Sequence, residues 1–499
     1  MNKIKIAILS GLLIAVAGSC SEDYLELTPK GQTLTTNYYQ NEDEAFSGLV
    51  AAYDLMRKYS GGFDNIATFM GSGSDDQLAG GGSATDGVGI HAMTDFSISP
   101  YSVPESFWSD FYQGIFRANI LLQKLPTTTM DDSTKSRFTA EAKSLRALYY
   151  FNLVILFKNV PLLTEPLSTS EIYNVTQASS DDVYAQIEKD LAEAIPNLPS
   201  SVPADENGRI TQGAAKALLG KVYLYNNKKT EAAQILSEVN GTPGQTSPYG
   251  YKLLSNFADL WKTDNKFNSE SILEVVHTNQ GNTYWGISYG SKDEGNMINT
   301  MVGPRGYVKK SDDAPNLPSG WSFAVFTQNF YDAIKDDPRF SATVLDLKTM
   351  QSEGKVDYLA GYQDTGYFVN KFTPRQSDVS TLGGDAVLNY RQDFYVIRLA
   401  DTYLMEAEAL GGTGARAQAL LDAVRARVGL PSITVSLDAI KKERRLELAG
   451  EGQRFFDLVR WGDAASVLSS RGFVSGKNEI LPIPYTELRN TKMVQNPGY

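Results

Sequence analysis

The chain has one cysteine and two histidines among 499 residues. A lone cysteine excludes an intramolecular disulfide. A single Cys with only His91 and His277 cannot assemble a His/Cys zinc centre. No Walker A sequence is present, so a P-loop nucleotide site is excluded. Excess basic charge is missing as well. The formal net charge is −12, which disfavours nucleic acid as a partner. The most basic stretch, Ile440–Arg445, is interleaved with Glu and reads as an ion-paired helix face. No apolar run is long enough to span a bilayer.

What is present at the amino terminus is a three-part pattern. Lys3 and Lys5 precede a mostly apolar run, Ile4–Val16, and the small residues Ala17, Gly18 and Ser19 follow. This predicts a signal peptide over 1–19. Cys20 then becomes the first mature residue, where its thiol and amine can carry acyl chains. Two or more chains anchor a protein firmly, whereas one binds only marginally. Cys20 is therefore the expected lipidation site. Residues 20–40, with Pro29 and Gly31, read as a tether and an extended segment leading to a body over 41–499.

Helical periodicity dominates the body. Phe138, Ala142, Leu145 and Tyr149 share one face, as do Tyr184, Ile187, Leu191 and Ile195. A repeat is more telling. The stripes Ala214/Leu218/Val222/Tyr225 and Ala232/Ile235/Leu236/Val239 have the same intervals as Leu399/Tyr403/Ala407/Leu410 and Ala417/Leu420/Leu421/Val424. The turns between the paired stripes, Asn226–Glu231 and Gly411–Arg416, have equal length. This predicts a mainly α fold of stacked, tetratricopeptide-like helical hairpins. The helical scaffold is expected over 41–270 and 386–499. Residues 271–385 are richer in Gly, Asn, Asp and Pro and read as loops. Short apolar runs at Ser271–His277, Ala342–Leu347 and Tyr367–Phe372 supply a few strands. Gly71–Ile90 reads as a second loop region.

Catalytic motifs fail on context. Gly286–Gly290 fits G-x-S-x-G, but both histidines precede Ser288, the wrong order for that elbow. Gly412–Ala417 resembles a dinucleotide fingerprint but follows a helix instead of a strand. Glu443, Glu447 and Glu451 are spaced by four among Arg444, Arg445 and Arg454, which points to structural ion pairs instead of a glycosidase acid/base pair. His277, in an apolar run, reads as a packed side chain. Asp75–Asp76 and Asp312–Asp313 are the carboxylate pairs a structural calcium would use, but EF-hand spacing is absent.

Aromatics remain. A flat ring can lie under the apolar C–H face of a sugar while polar groups meet its hydroxyls. Trp108, Trp261 and Trp461 sit on helix-like segments and read as structural. Trp285 and Trp321 lie in Gly- and Pro-rich loops, with Tyr284, Tyr289 and Tyr307 near them in sequence. They are the candidate ligand platform.

The segments Tyr395–Leu410, Leu420–Pro431, Ile440–Gly462 and Leu481–Tyr499, ending Asn-Pro-Gly-Tyr, resemble the SusD/RagB family in order and spacing. Ser21–Gly31, Phe107–Leu125 and Ala140–Leu162 agree, so the resemblance covers nearly the whole mature chain. It implies a cell-surface, outer-membrane lipoprotein of the Bacteroidetes with no enzymatic activity and no cofactor. Such a protein captures a glycan, or in some branches a peptide, and passes it to a SusC-like TonB-dependent transporter. Ser21-Glu22-Asp23 resembles that phylum's surface-export signal. Trp285 and Trp321 fall where relatives place aromatic platforms. Asp75 and Asp76 fall in the early loop that supplies polar contacts. Glu447, Arg454 and Trp461 correspond to scaffold. Four functions follow for comparison: glycan capture; peptide capture, with Asp75, Asp76 and Arg305 meeting termini or charged side chains; from another class, a glycoside hydrolase using loop carboxylates; and a helical scaffold with no small ligand.

Overall fold

The computed structural model describes residues 38–168, 170–280, 284 and 294–499. The expected signal peptide, Cys20 and nearly all of the expected tether lie outside these residues. Helix α1 (Glu42–Tyr53) opens the body. The Asn41 side chain caps it by accepting from Glu44 N, and three acidic residues fill its first turn, where the helix dipole favours them. Short helices α2 (Ile66–Ser72) and α3 (Val88–Thr94) follow. Helices α4 (Ser106–Lys124) and α5 (Asp132–Phe157) form a long antiparallel pair. Gly114 lets them approach, since a Cβ there would lie 2.4 Å from the Tyr149 ring. Helix α6 (Ser180–Ala194) packs on α5.

The predicted repeat is observed as two helical hairpins. One is α7 (Gln212–Tyr225) with α8 (Lys229–Asn240). The other is α9 (Leu399–Ala409) with α10 (Gly414–Arg427). The hairpins stack through α8 and α9. Buried Asn240 fastens the seam: its amide donates to Thr402 O (3.1 Å) and Glu406 Oε2 (2.8 Å), and its carbonyl accepts from Thr402 Oγ1 (2.7 Å). A fully paired polar group of this kind fixes register in an apolar contact that would otherwise tolerate sliding. Helices α11 (Leu437–Glu447) and α12 (Arg454–Trp461) close the frame.

Among the described residues, eight short strands pair into four antiparallel ribbons: β1 (Gln77–Gly80) with β4 (Phe323–Phe326), β2 (Ser271–Val275) with β8 (Phe394–Arg398), β3 (Val308–Lys309) with β6 (Val356–Asp357), and β5 (Val344–Asp346) with β7 (Tyr367–Val369). The three apolar runs predicted as strands contain β2, β5 and β7. The Gly71–Ile90 region corrects its expectation. It is not all loop, because β1 finds its partner in β4, far along the chain, and α3 begins at Val88. Among the described residues no helix is long and apolar enough to cross a membrane.

Buried charge is unusually concentrated between the frame and the segments it carries. Arg398 is 1 % exposed and bonds Glu270, Glu447 and Glu451; Arg339, fully buried, bonds Asp337, Glu443 and Glu447. Arg427 joins Glu270 and Glu447, and Lys371 joins Glu451. The three α11-register glutamates are therefore structural, as expected, but their partners are Arg339, Arg398, Arg425 and Arg427, not the neighbouring arginines. Burial alone would raise the Glu447 pKa; the Arg427, Arg398 and Arg339 guanidiniums hold it well below the usual carboxylate range. Arg444 is spent on Asp401 and Asp457. His277 is buried as predicted, with Ser60 Oγ at 2.6 Å and Glu294 O at 2.9 Å.

Candidate functional site

The β1–β4 ribbon carries a face made by three segments: 80–91, 303–322 and 359–363. Backbone hydrogen bonds set their positions. Gly81 N donates to Ser322 O (2.8 Å), Tyr362 N to Gly81 O (2.8 Å), and Leu359 N to Arg305 O (2.8 Å). Gly80 has φ +71°, and a Cβ there would stand 2.2 Å from Ser322 O. Only glycine allows that turn at that separation. Gly303 and Gly320 likewise let two backbones meet, since a Cβ on Gly320 would lie 2.5 Å from Gly303.

These anchors place Trp321. Its backbone N donates to Thr300 O (2.9 Å), and its ring leans on Phe63 with centroids 6.3 Å apart. Phe63 in turn meets Phe323 edge-on at 5.2 Å. The indole is thus backed by the core yet partly exposed. Arg305 lies beside it. Its Nη2 donates to Asp86 Oδ2 (3.2 Å) and to Trp321 O (3.3 Å), while its Nε is buried with no partner among the described residues. Asp86 Oδ2 also accepts from Gly82 N (2.7 Å). Tyr362 is 41 % exposed and touches His91 edge-on at 5.1 Å; Leu359 and Val88 are also exposed. The surface therefore offers a supported flat ring, exposed apolar atoms, and a guanidinium–carboxylate pair with hydrogen-bonding capacity left over. That combination suits a polyhydroxylated ring.

The other expected site residues divide. Tyr284 is 45 % exposed. Trp285 and Tyr289 lie outside the described residues, as does Ser288. Tyr307 is half-buried, and its hydroxyl donates to Pro315 O. Asp75 and Asp76, expected as ligand contacts and weighed as a calcium pair, are both ion-paired. Arg454 Nε and Nη2 donate to the two Asp75 oxygens at 2.8 and 3.0 Å, and Arg445 Nε donates to Asp76 Oδ1 at 2.7 Å. Asp76 is 1 % exposed. Burial, with the charge of Asp75, pushes its pKa up to about 6 despite both arginines. Guanidiniums occupy the positions a cation would take, so this pair ties the early segment to α11 and α12. Asp313 is paired with Lys355 at 2.9 Å, and no group of three metal-ligating side chains occurs among the described residues. Sequence reasoning missed Phe63, Asp86 and Tyr362. Each sits beside glycine, in "GGFD", "ATDG" and "AGYQ". A glycine-flanked aromatic or acid in a loop was the usable signal.

A family model described as the SusD family matches residues 223–471, and one described as starch-binding associating with outer membrane matches 86–224. A solved laminarin-binding SusD-like protein is 65 % identical, with TM-score 0.91, over 92 % of this chain and 100 % of that one. The chain belongs to the SusD/RagB family. Surface glycan-binding protein A from Bacteroides thetaiotaomicron, solved in complex with laminarihexaose, is 26 % identical with TM-score 0.80, over 91 % of this chain and 99 % of that one. The starch-binding protein SusD of B. thetaiotaomicron is 24 % identical over 475 residues, 82 % of this chain and 81 % of its own length. The SusD-like fold thus accounts for the helical hairpins and the loop-borne face, and these relatives are named for binding, not for catalysis.

Proposed function

We propose that this SusD-family chain is a non-catalytic surface lipoprotein that captures a laminarin-type glucan and passes it to a SusC-like TonB-dependent transporter in the outer membrane. The observation that carries the ligand class is the 65 % identity, over nearly the whole chain, to a laminarin-binding SusD-like protein. In this reading Trp321, backed by Phe63, is the platform for a glucose ring. Arg305 and Asp86 meet its hydroxyls as donor and acceptor, and Tyr362 extends the apolar surface. Tyr284, Trp285 and Tyr289 are proposed as further ligand contacts. Residues 1–19 direct export, Cys20 carries the acyl anchor, and 20–40 tether the body. Asp86 is held by Arg305 at 3.2 Å, which presents its carboxylate as a hydrogen-bond acceptor. Peptide capture is less favoured, because Asp75 and Asp76 are already taken by Arg454 and Arg445.

Isothermal titration with laminarin, laminarihexaose and a panel of charged peptides tests the reading. The glucans are expected to bind and the peptides not. Product analysis after prolonged incubation is expected to show intact laminarihexaose. Binding of peptides alone, or hydrolysis of the hexaose, would sink it.

A further inference from the structure

We propose that a second ligand site lies in the cleft between the Phe257–Trp261 turn and residues 370–378 and 391–392, and that it takes a neutral saccharide unit. The ligand class rests on the glycan reading above; the position does not. The cleft has a volume of about 570 Å³, inside the range of about 300–1,000 Å³ typical of small-molecule sites. It shares no lining residue with the Trp321 face. It is joined to the segment bearing that face through Gln376 N, which donates to Asn316 O (2.9 Å).

Charge selects the ligand. Arg375 and Arg391 face the cleft together with Asp264 and Asp378. Lys262, also on the wall, is paired with Asp259 at 2.7 Å. The signs cancel, so an anion would meet two carboxylates and a cation two guanidiniums. A neutral polyol gains from both, because each hydroxyl donates to an acid and accepts from an arginine.

Donor capacity is also left unused. Arg375 Nη1 donates to Thr373 O (2.7 Å) and Nη2 to Asn370 Oδ1 (2.8 Å), with no carboxylate within ion-pair distance among the described residues. Burial lowers its pKa, against the opposing pull of the Asp378 charge. Arg391 is exposed and makes no hydrogen bond or ion pair among the described residues. The Trp261 side chain forms part of the wall.

The walls are fixed in advance. Asp378 accepts from Arg375 N (2.8 Å) and Thr263 Oγ1 (2.9 Å). Lys371 Nζ sits 4.5 Å from the Trp261 ring centroid, and Phe372 and Tyr395 pack against that ring edge-on. Little ordering entropy remains to oppose binding.

The test is titration of the mature chain with laminarihexaose, glucose and glucuronate, using Trp321→Ala, Arg391→Ala, Ser377→Trp and the double variants with Trp321→Ala. Ser377 is exposed on the cleft wall, so a tryptophan there blocks the cleft without touching the core. Two classes of site are expected in the wild type. The weaker should survive Trp321→Ala and fall at least tenfold when Arg391→Ala or Ser377→Trp is added. Binding abolished by Trp321→Ala alone overturns the cleft site and leaves the face intact. Residual binding indifferent to both cleft variants also overturns it. Glucuronate bound tighter than glucose in the Trp321→Ala background overturns the neutral class. Binding unchanged by Trp321→Ala but lost with Arg391→Ala keeps the cleft and overturns the face.

Discussion

Two arginines, Arg398 in the frame and Arg305 on the face, make opposite use of the same side chain. Arg398 is 1 % exposed and spends its donors on Glu270, Glu447 and Glu451. Arg305 has a side chain 35 % exposed, one carboxylate contact at 3.2 Å, and donors to spare. In the frame, charge is locked by over-determination: several partners come from separate parts of the chain, and removing one strands the rest. On the face, charge is only oriented. A binding surface needs the second condition, because a group already saturated has nothing to offer a ligand.

The largest expected effect breaks the frame. Arg398→Ala leaves buried carboxylates uncompensated and should cost about 3–5 kcal/mol of stability. Chemical denaturation reads this directly; a loss under 1 kcal/mol would mean that the network is not the tie it is taken to be.

Next come two buried carboxylates with contrasting neighbours. Glu447 faces three guanidiniums. Glu274 has a buried oxygen without a partner; burial first, and then the nearby Asp393, push its pKa up to about 7, against the pull of Lys266. A raised folded-state value means the native state holds its proton longer than the unfolded chain. The stability Glu274 contributes is therefore full below about pH 4.3 and is lost as pH rises towards 7. Glu447 has the reverse sign: its contribution is present above about pH 4.3 and is lost as pH falls below that value. Glu274→Gln should flatten the decline between pH 5 and 8 and stabilise the chain by about 2–3 kcal/mol at pH 8. An unchanged pH profile would remove Glu274 as its source.

On the face, Trp321→Ala should weaken laminarihexaose binding about tenfold, equivalent to about 1.4 kcal/mol, with a smaller change in melting temperature than Arg398→Ala. Smallest of all, Arg305→Gln and Asp86→Asn should each weaken binding a few-fold and change stability by under about 1 kcal/mol, as partly exposed ion pairs do. If either rivals Arg398→Ala in stability, the distinction between locked and oriented charge fails.

The sequence disclosed what depends on near neighbours. The spacing of Ala214, Leu218 and Val222, and its echo at Leu399, Tyr403 and Ala407, is local, and so were the apolar runs that became β2, β5 and β7. The misreadings all involve distant partners. Gln77–Gly80 looked like loop because its strand partner is Phe323–Phe326. The ion pairs of Asp75 and Asp76 were hidden because Arg445 and Arg454 are far away in sequence. Glu447 was expected beside Arg444 and Arg445, but helical geometry turned it towards Arg339, Arg398 and Arg427. The platform itself was half legible: Trp321 stood out as an indole in a Gly/Pro loop, while Phe63, Asp86 and Tyr362 acquire meaning only when three separate segments converge.

Main-chain hydrogen bonds moor the three segments of the face to one another, through Gly81 with Ser322, Tyr362 with Gly81, and Leu359 with Arg305. Peptide groups do not change when a side chain does. Leu359 and Tyr362 can thus be exchanged over generations without dislodging the loops that display them. The architecture separates inheritance of shape from inheritance of taste, so descendants of one ancestor can acquire new diets by editing a few letters on an unaltered mount.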